Sequence, residues 1–292
     1  MKRESFGSRL GFILVSAGCA IGIGNVWKFP YICGAYGGAA FILIYLCFLV
    51  ILGIPVLVAE FAVGRGSHTS VAKCFDKLAP AGSGWKPLKF IGIIGCYMLM
   101  MFYTTVGGWM IYYCVKSLRG DFVGATPEAV TQSFSDMLGN APTMMLWMVI
   151  ICLIGFAVCF MGLQNGIEKI SKVMMSALLI IMVILAVHSV MMEGAGEGIR
   201  FYLIPDFQKI KEAGVGNVVF AALSQSFFTL SIGIGAMLIF GSYLDKSRSL
   251  TGEAVSITVL DTFVALTAGF IIIPACFSYG IQPDAGPSLI FI

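Results

Sequence analysis

Charged residues are scarce in this sequence. They make up 11% of its 292 residues, whereas hydrophobic residues make up 59% and the mean hydropathy is +0.95. A soluble domain usually carries about 25% charged residues, so the composition excludes an ordinary soluble protein and indicates a multi-pass membrane protein with the lipid bilayer as its partner. The net charge of +3 is spread through the loops, which argues against a nucleic-acid partner.

Residues that commonly carry catalysis or bind transition metals are also few. The two histidines, His68 and His188, lie far apart, and neither has the spacing of a metal ligand. Nine cysteines fall mostly within apolar runs, and none lies in the two longer loops that we place outside, so no disulfide framework is predicted. Because the sequence contains no recognisable nucleophile–base pair or metal cluster, we do not expect an enzyme.

Long apolar runs, by contrast, fill the chain. A transmembrane helix needs roughly 20 mostly apolar residues. The first run begins like a signal peptide, but it continues far past Cys19, so we interpret it as an uncleaved span. The predicted spans are 10–35, 38–63, 88–116, 143–161, 169–191, 216–241 and 254–280.

Lysine and arginine determine the predicted orientation. Cytoplasmic loops of membrane proteins are enriched in both residues. With the N-terminus inside, twelve of the 18 lie on the inner side and five on the outer side, while Lys28 belongs to the first span. The sequence therefore predicts a multi-pass protein of the inner or plasma membrane with a cytoplasmic N-terminus.

Two of these spans are interrupted near their centres. The first contains Gly22, Gly24 and Asn25, and Pro30 follows; such residues weaken or break a helix. The sixth contains the polar and glycine-rich stretch 225–235. Unwound backbone at membrane depth is tolerated only where it is buried in protein or lines a cavity. Two breaks therefore predict a binding site at the bilayer midplane, the alternative being glycines that only allow close helix packing.

Three ionisable residues lie within or beside the predicted spans, where a charge usually faces a cavity or a partner. Lys28 has the alternative of reaching the outer surface with its long side chain. Glu60 has the alternative of being a helix-end charge near the cytoplasm. Asp261 lies well inside the last span and has no such alternative, so it is the strongest candidate for a functional carboxylate.

Several of these residues form motifs that resemble the neurotransmitter:sodium symporter family, in its bacterial amino-acid transporter branch. The motifs are specific in combination and extend from the N-terminus to about Gly280. They are Gly18-x-Ala20-x-Gly22-x-Gly24-Asn25-x-x-Lys28-Phe29-Pro30, Gly37-Gly38, Gly53-Ile54-Pro55, Glu60, Gly64-Arg65 and Gln225-x-Phe227-Phe228-Thr229-Leu230-Ser231 with Gly233 and Gly235.

The resemblance implies a fold. We expect an all-α polytopic membrane protein with the inverted-repeat transporter architecture, in which helices 1 and 6 are broken. Residues 1–292 would form a single membrane domain, with 10–191 as the first five-span repeat and 216–280 as the first two spans of the second repeat. Because the second repeat would then be incomplete, we expect a chain that is truncated after span 7.

The resemblance also implies sodium-coupled symport of a neutral, hydrophobic amino acid. The carboxylate of the amino acid would bind backbone N–H groups at the start of a half-helix and the Tyr103 hydroxyl. Its ammonium would bind backbone carbonyls and the Ser231 hydroxyl. The implied substrate-binding residues are Ala20, Gly22, Ile23, Gly24, Leu99, Tyr103, Phe228, Thr229, Ser231 and Ile234.

Two sodium sites are implied, because sodium is a hard cation that prefers oxygen ligands. The residues of this chain that would form them, the second only incompletely, are Gly18, Ala20, Ile21, Asn25, Thr229 and Asp261. The implied gate residues are Arg3, Lys28 and Gln225. Lysine stands here where the family commonly has arginine, and a lysine forms a looser ion pair.

Asp261 also departs from the family, which commonly has asparagine at this position. In chloride-dependent members an anion lies near the residues that correspond to Tyr45 and Gln225. The Asp261 carboxylate would supply that negative charge, so we expect that chloride is not required.

Two other functions remain open on the sequence alone. One is an ion channel with a polar site at the midplane, which a steady uncoupled current would identify. The other is a non-transporting membrane scaffold, against which sodium-dependent amino-acid binding would argue. Since the second sodium site lacks hydroxyl ligands in this chain, we expect residues 1–292 alone to be inactive in transport.

Overall fold

The structure, a computed structural model, describes residues 6–283 and 286–291, and within those ranges it contains helices and no strands. The helices are α1 (Arg9–Ala20), α2 (Phe29–Ala35), α3 (Ala39–Phe48), α4 (Ile54–Ser67), α5 (Val71–Leu78), α6 (Leu88–Arg119), α7 (Pro127–Gly139), α8 (Ala141–Phe160), α9 (Lys169–Val190), α10 (Ala195–Leu203), α11 (Phe207–Ala213), α12 (Val215–Thr229), α13 (Ala236–Gly241) and α14 (Leu250–Tyr279). Wide π-helical turns lead into α2, α4 and α9, and a short 3-10 turn follows α14; these are Gly24–Lys28, Leu49–Gly53, Leu163–Glu168 and Gly286–Phe291.

The helices that can cross a membrane agree with the predicted spans. Within the described residues, five segments are long and apolar enough, namely Ala39–Ser67, Leu88–Arg119, Ala141–Phe160, Leu163–Val190 and Leu250–Tyr279. The bent pair Arg9–Ala20 and Gly24–Ala35 makes a sixth. The predicted span 216–241 is instead divided into the 15-residue α12 and the six-residue α13. The all-helical, multi-pass fold class is therefore confirmed.

The first predicted break is present. Helix α1 ends at Ala20, and the chain bends by 51° before it continues through the π-helical turn into α2. Asn25 contributes to the break because its Oδ1 accepts a hydrogen bond from the backbone N of Gly22 over 3.2 Å. Pro30 lies in the first turn of α2, where its missing N–H leaves no helical hydrogen bond unmade.

The second predicted break separates α12 from α13. In this segment Ser231, Gly233 and Gly235 have φ angles of +52°, +91° and +78°. Glycine adopts positive φ readily, whereas serine rarely does. The segment cannot continue a right-handed helix, so the sixth span is broken as the sequence predicts.

Close helix packing by glycine also occurs, but at other positions. A methyl group on Gly64 of α4 would overlap the Leu238 carbonyl of α13, and one on Gly241 of α13 would lie 2.6 Å from the Phe61 Cα of α4. These two glycines let the short half-helix α13 lie directly on α4.

The core lies where α1, α3, α9, α12 and α14 meet. Its largest fully buried side chains include Phe29, Phe41, Tyr45, Leu230 and Ile257. Helix α14 packs against both halves of the first span and against α9 and α10. This position brings the middle of α14 directly to the first break.

Asp206 caps the short loop helix α11. Its Oδ1 accepts hydrogen bonds from the backbone N of Gln208 at 3.0 Å and of Lys209 at 3.3 Å, at the start of α11.

Candidate functional site

A buried cluster of three polar side chains lies between the two breaks and α14. Oδ1 of Asp261 accepts a hydrogen bond from Nδ2 of Asn25 at 2.8 Å, and its Oδ2 accepts one from Oγ1 of Thr229 at 2.8 Å. Nδ2 of Asn25 also lies 3.1 Å from Oγ1 of Thr229 and 3.1 Å from the Asp261 carbonyl. The fold thus brings together three of the residues that the sequence assigns to sodium.

The chemistry of this cluster suits a hard cation. All three residues have 0% exposed surface, and a buried carboxylate is unfavourable unless it is paired or hydrogen-bonded. Within the described residues, no lysine, arginine or histidine forms an ion pair with Asp261. Together the carboxylate, the amide and the hydroxyl of this buried cluster supply the oxygen ligands that a hard cation prefers.

The two residues predicted for the anion region are buried beside the cluster. The Tyr45 hydroxyl faces Thr229 and Thr262 but makes no hydrogen bond of normal geometry to any described residue. Gln225 lies one turn before Thr229, and its Oε1 likewise has no partner in the part of the chain that the structure describes. Each therefore retains unused hydrogen-bonding capacity within the described part of the chain.

Two hydrogen bonds join the breaks to each other. Nε2 of Gln225 donates to the Gly24 carbonyl at 2.9 Å, so this predicted gate residue links the two breaks from a fully buried position. Oγ of Ser231 donates to the Cys19 carbonyl at 3.0 Å. The two broken helices therefore meet at their interruptions.

A cavity of about 290 Å³ adjoins the second break. It is lined by Leu99, Tyr103, Ser224, Phe227, Phe228, Ser231, Ile232 and Ile234. Five of these residues belong to the predicted substrate site, while Ser224, Phe227 and Ile232 were missed. None of the eight is charged, so the cavity suits a neutral and mostly apolar ligand.

The remaining predicted substrate residues lie at the edge of this cavity or in the polar cluster. A methyl group on Gly22 would lie 3.7 Å from Cε1 of Tyr103 and 3.8 Å from its hydroxyl, so the hydroxyl faces the first break. A methyl group on Gly24 would lie 2.9 Å from Cδ1 of Phe228. Ala20 and Ile23 flank the same break, and Thr229 belongs to the cluster around Asp261.

The predicted outer gate residue Lys28 contacts an aromatic ring. Its ammonium lies 4.4 Å from the centroid of the Phe228 ring, a cation–π distance. Among the described residues, no carboxylate forms an ion pair with it. The third predicted gate residue, Arg3, lies outside the described residues.

Gly18 and Ile21, two further residues that the resemblance implies for sodium binding, lie at the end of α1. A methyl group on Gly18 would lie 3.2 Å from Sδ of Met175 in α9, and the Ile21 N donates to the Ala17 carbonyl at 2.6 Å. Within the described part of the chain, no three His, Cys, Asp or Glu side chains come together as a metal site.

Glu60 has a role that the sequence did not reveal. Its Oε1 accepts a hydrogen bond from the Gly233 N at 2.6 Å, and its Oε2 accepts one from the Leu238 N at 3.2 Å. It is thus not a free helix-end charge, because it supplies acceptors to backbone groups of the second break and of α13. An acidic residue in an apolar span indicates that hydrogen-bond donors lie nearby. Which groups donate can be seen only in the folded structure.

The chain is similar to known sodium-dependent transporters. A family model described as the Sodium:neurotransmitter symporter family matches residues 3–128 and 127–279. The chain is 37% identical over 290 residues to the uncharacterized sodium-dependent transporter YhdH of Bacillus subtilis, covering 99% of this chain and 63% of that relative. It is 34% identical over 299 residues to an uncharacterized sodium-dependent transporter of Haemophilus influenzae, covering 99% and 65%.

A solved structure is also similar. The crystal structure of MhsT in complex with L-phenylalanine superimposes with a TM-score of 0.91 at 38% sequence identity, covering 100% of this chain and 65% of that chain. The chain thus spans somewhat less than two thirds of the length of these relatives.

Proposed function

The chain belongs to the sodium:neurotransmitter symporter family, and on this premise we propose that its protein carries a neutral, hydrophobic amino acid across the membrane together with Na⁺. The observation that supports this most directly is the uncharged cavity of about 290 Å³ at the second break, which Tyr103, close to Gly22 of the first break, also lines. Phe228, which lines the cavity, is followed by Thr229 of the Asp261 cluster, so the amino acid and the cation would bind in adjacent places.

The ends of an amino acid would bind to different parts of this site. The carboxylate would receive a hydrogen bond from Tyr103, whose hydroxyl faces Gly22, and would lie at the start of the turn that begins at Gly24. The side chain would lie against Leu99, Phe228 and Ile234. The L-phenylalanine in the related structure is an amino acid of this class.

One Na⁺ would bind at Asp261, Asn25 and Thr229, with the Ala20 carbonyl as a further ligand. Binding there would replace the hydrogen bonds that now join the three side chains by bonds from their oxygens to the ion. A second Na⁺ would involve the carbonyls of Gly18 and Ile21. The Asp261 carboxylate would balance the charge of the cargo, so transport would proceed without chloride.

The test is amino-acid binding by the protein expressed from its complete reading frame. Radiolabelled L-phenylalanine and L-leucine would be measured in sodium and in potassium salts at equal ionic strength. We expect saturable binding in sodium alone, and competition by neutral apolar amino acids but not by arginine or glutamate. Equal binding in both salts, or a preference for a charged amino acid, would contradict the proposal.

A further inference from the structure

Ile234 lies between two cavities. It lines the cavity of about 290 Å³ described above, the amino-acid cavity, and also a second, mostly apolar cavity of about 270 Å³ that is formed by α4, α5, the start of α6 and the second break. Among the described residues, Ile234 alone lines both cavities. The position of its side chain therefore determines how the available space is divided between the bound amino acid and the second cavity.

The backbone on either side of Ile234 is held by neighbouring helices. On one side, the Gly233 N donates to Oε1 of Glu60 in α4 at 2.6 Å. On the other side, a methyl group on Gly235 would lie 2.5 Å from Cγ2 of Val71, so this glycine packs directly against α5. Because the backbone is fixed on both sides, a substitution next to Ile234 displaces its side chain more readily than its backbone.

The Ile234 side chain packs against Gly95 of α6. A methyl group on Gly95 would lie 3.2 Å from Cγ2 of Ile234 and 3.8 Å from its Cβ, and the thiol of the next residue, Cys96, donates to the Ile234 carbonyl at 3.5 Å. Leu99 and Tyr103, which line the amino-acid cavity, follow Gly95 at four-residue spacing, so all three lie on one face of α6. The absence of a side chain at position 95 thus lets Ile234 lie close to α6 at the end of this cavity.

We propose that Gly95 is a specificity-determining residue that acts through the position of Ile234, an inference that rests on the proposed amino-acid transport. The Cα–Cβ bond of a helical residue tilts toward the N-terminus of its helix, and the N-terminal part of α6 lines the second cavity. A methyl group at position 95 therefore displaces the Ile234 side chain toward the amino-acid cavity. Gly95 leaves room there for a bulky neutral amino acid such as phenylalanine, whereas the short side chain of alanine does not need that room.

The ratio of two binding affinities tests this proposal in the protein expressed from its complete reading frame. Equilibrium binding of labelled L-phenylalanine and of labelled L-alanine would be measured in sodium salts. We expect Gly95→Ala to lower the phenylalanine-to-alanine affinity ratio about tenfold, because one methylene in an apolar pocket changes discrimination by roughly 10–200-fold. The double variant Gly95→Ala/Ile234→Val adds one methyl group and removes another, so it should restore the native ratio.

Gly107→Ala is the matched control. Gly107 lies on the same helix, and a methyl group there would lie 3.3 Å from Cγ1 of another isoleucine, Ile151 of α8. The two contacts are about equally tight, but Ile151 lines neither cavity. We therefore expect Gly107→Ala to keep the native affinity ratio, so a general effect of adding a methyl group to α6 can be separated from an effect on Ile234.

Three outcomes would overturn the assignment of Gly95 alone. They are an unchanged affinity ratio in Gly95→Ala, an equal loss of affinity for both amino acids in that variant, and the same change of ratio in Gly107→Ala. If Gly95→Ala does not fold, Ile234→Val alone should raise the ratio, and an unchanged ratio there would contradict the proposal. Native protein that binds neither amino acid in sodium would instead contradict the proposed transport function, and this inference with it, so the two failures are distinguishable.

Discussion

Asn25 and Asp261 are separated by 236 positions in the chain, yet the amide of the first donates to the carboxylate of the second over 2.8 Å. This contact fixes the first helix break to the centre of α14. It also places the Asp261 carboxylate, the carboxylate of the buried cluster, at the proposed sodium site.

The charge of Asp261 provides the first prediction. In the protein expressed from its complete reading frame, uptake should be equal in sodium chloride and sodium gluconate. Asp261→Asn keeps the shape of the side chain but removes its negative charge, so uptake in gluconate should fall about tenfold, equivalent to about 1.4 kcal/mol. Chloride should restore part of this loss. Asp76→Asn, at an exposed position, is the control. An Asp261→Asn variant that works equally in both salts would exclude charge substitution.

The Tyr103 hydroxyl provides the second prediction. Tyr103→Phe should weaken amino-acid binding roughly tenfold to a hundredfold, because a hydrogen bond to a charged group contributes about 1.5–3 kcal/mol. Equilibrium binding of labelled L-phenylalanine would measure the change. Tyr97→Phe, an exposed position on the same helix, should have no effect. Equal affinity in the Tyr103→Phe and native proteins would show that the hydroxyl does not contact the substrate.

The third prediction concerns Gly24. A methyl group there would lie 2.9 Å from Cδ1 and 3.0 Å from Cε1 of Phe228, so Gly24→Ala must displace the ring or the break. Overpacking of this kind costs about 1–3 kcal/mol. We expect a lower unfolding temperature and weaker binding, measured by thermal denaturation and by equilibrium binding. Gly155→Ala in α8, where a methyl group would meet no atom within 4 Å, should match the native protein in both measurements.

Glu60 provides the fourth prediction. Glu60→Gln removes the negative charge that accepts hydrogen bonds from the Gly233 and Leu238 backbone. Such charge-assisted bonds contribute about 1.5–3 kcal/mol each, so hydrogen exchange of amides 231–238 should become faster. Glu212→Gln, at an exposed site, is the control. If exchange in this segment is the same in both variants, Glu60 does not stabilise the second break.

The breaks and the polar cluster could be predicted from sequence because their signals are local or motif-based. The two glycines in Ser231–Gly235 predict a helix break, because glycine adopts positive φ readily. Asp261 is recognisable as a candidate because it is a carboxylate in an otherwise apolar span. The contacts of Glu60 could not be predicted in this way, because its donors follow it by more than 170 positions.

The lining of the cavity was predicted only in part for a related reason. Phe228 belongs to a recognisable motif, and Tyr103 was implied by the family resemblance. Ser224, Phe227 and Ile232 line the cavity because of how α12 is rotated and where the break ends, although Phe227 belongs to the same motif as Phe228. The rotation of α12 depends on its packing against α3 and the turn Leu49–Gly53, which is a property of the tertiary structure. In a uniformly apolar helix, the pattern of apolar residues gives little information about how the helix is rotated about its axis.

The π-helical turn at Leu49–Gly53 determines how the second span tolerates the deletion of single residues. Such a turn contains one residue more than a regular α-helix would need over the same distance. Deletion of one residue there would let the span relax into a regular α-helix over the same distance, so Ile54–Ser67 would keep its orientation relative to Tyr45 and Glu60 would still face the Gly233 N. A deletion in the regular helix between Ile54 and Ala59 would instead rotate Glu60 by about 100° and shift it by about 1.5 Å relative to Tyr45. Single-residue deletions should therefore be better tolerated in Leu49–Gly53 than in 54–59, because only the turn contains a residue that a regular helix does not need.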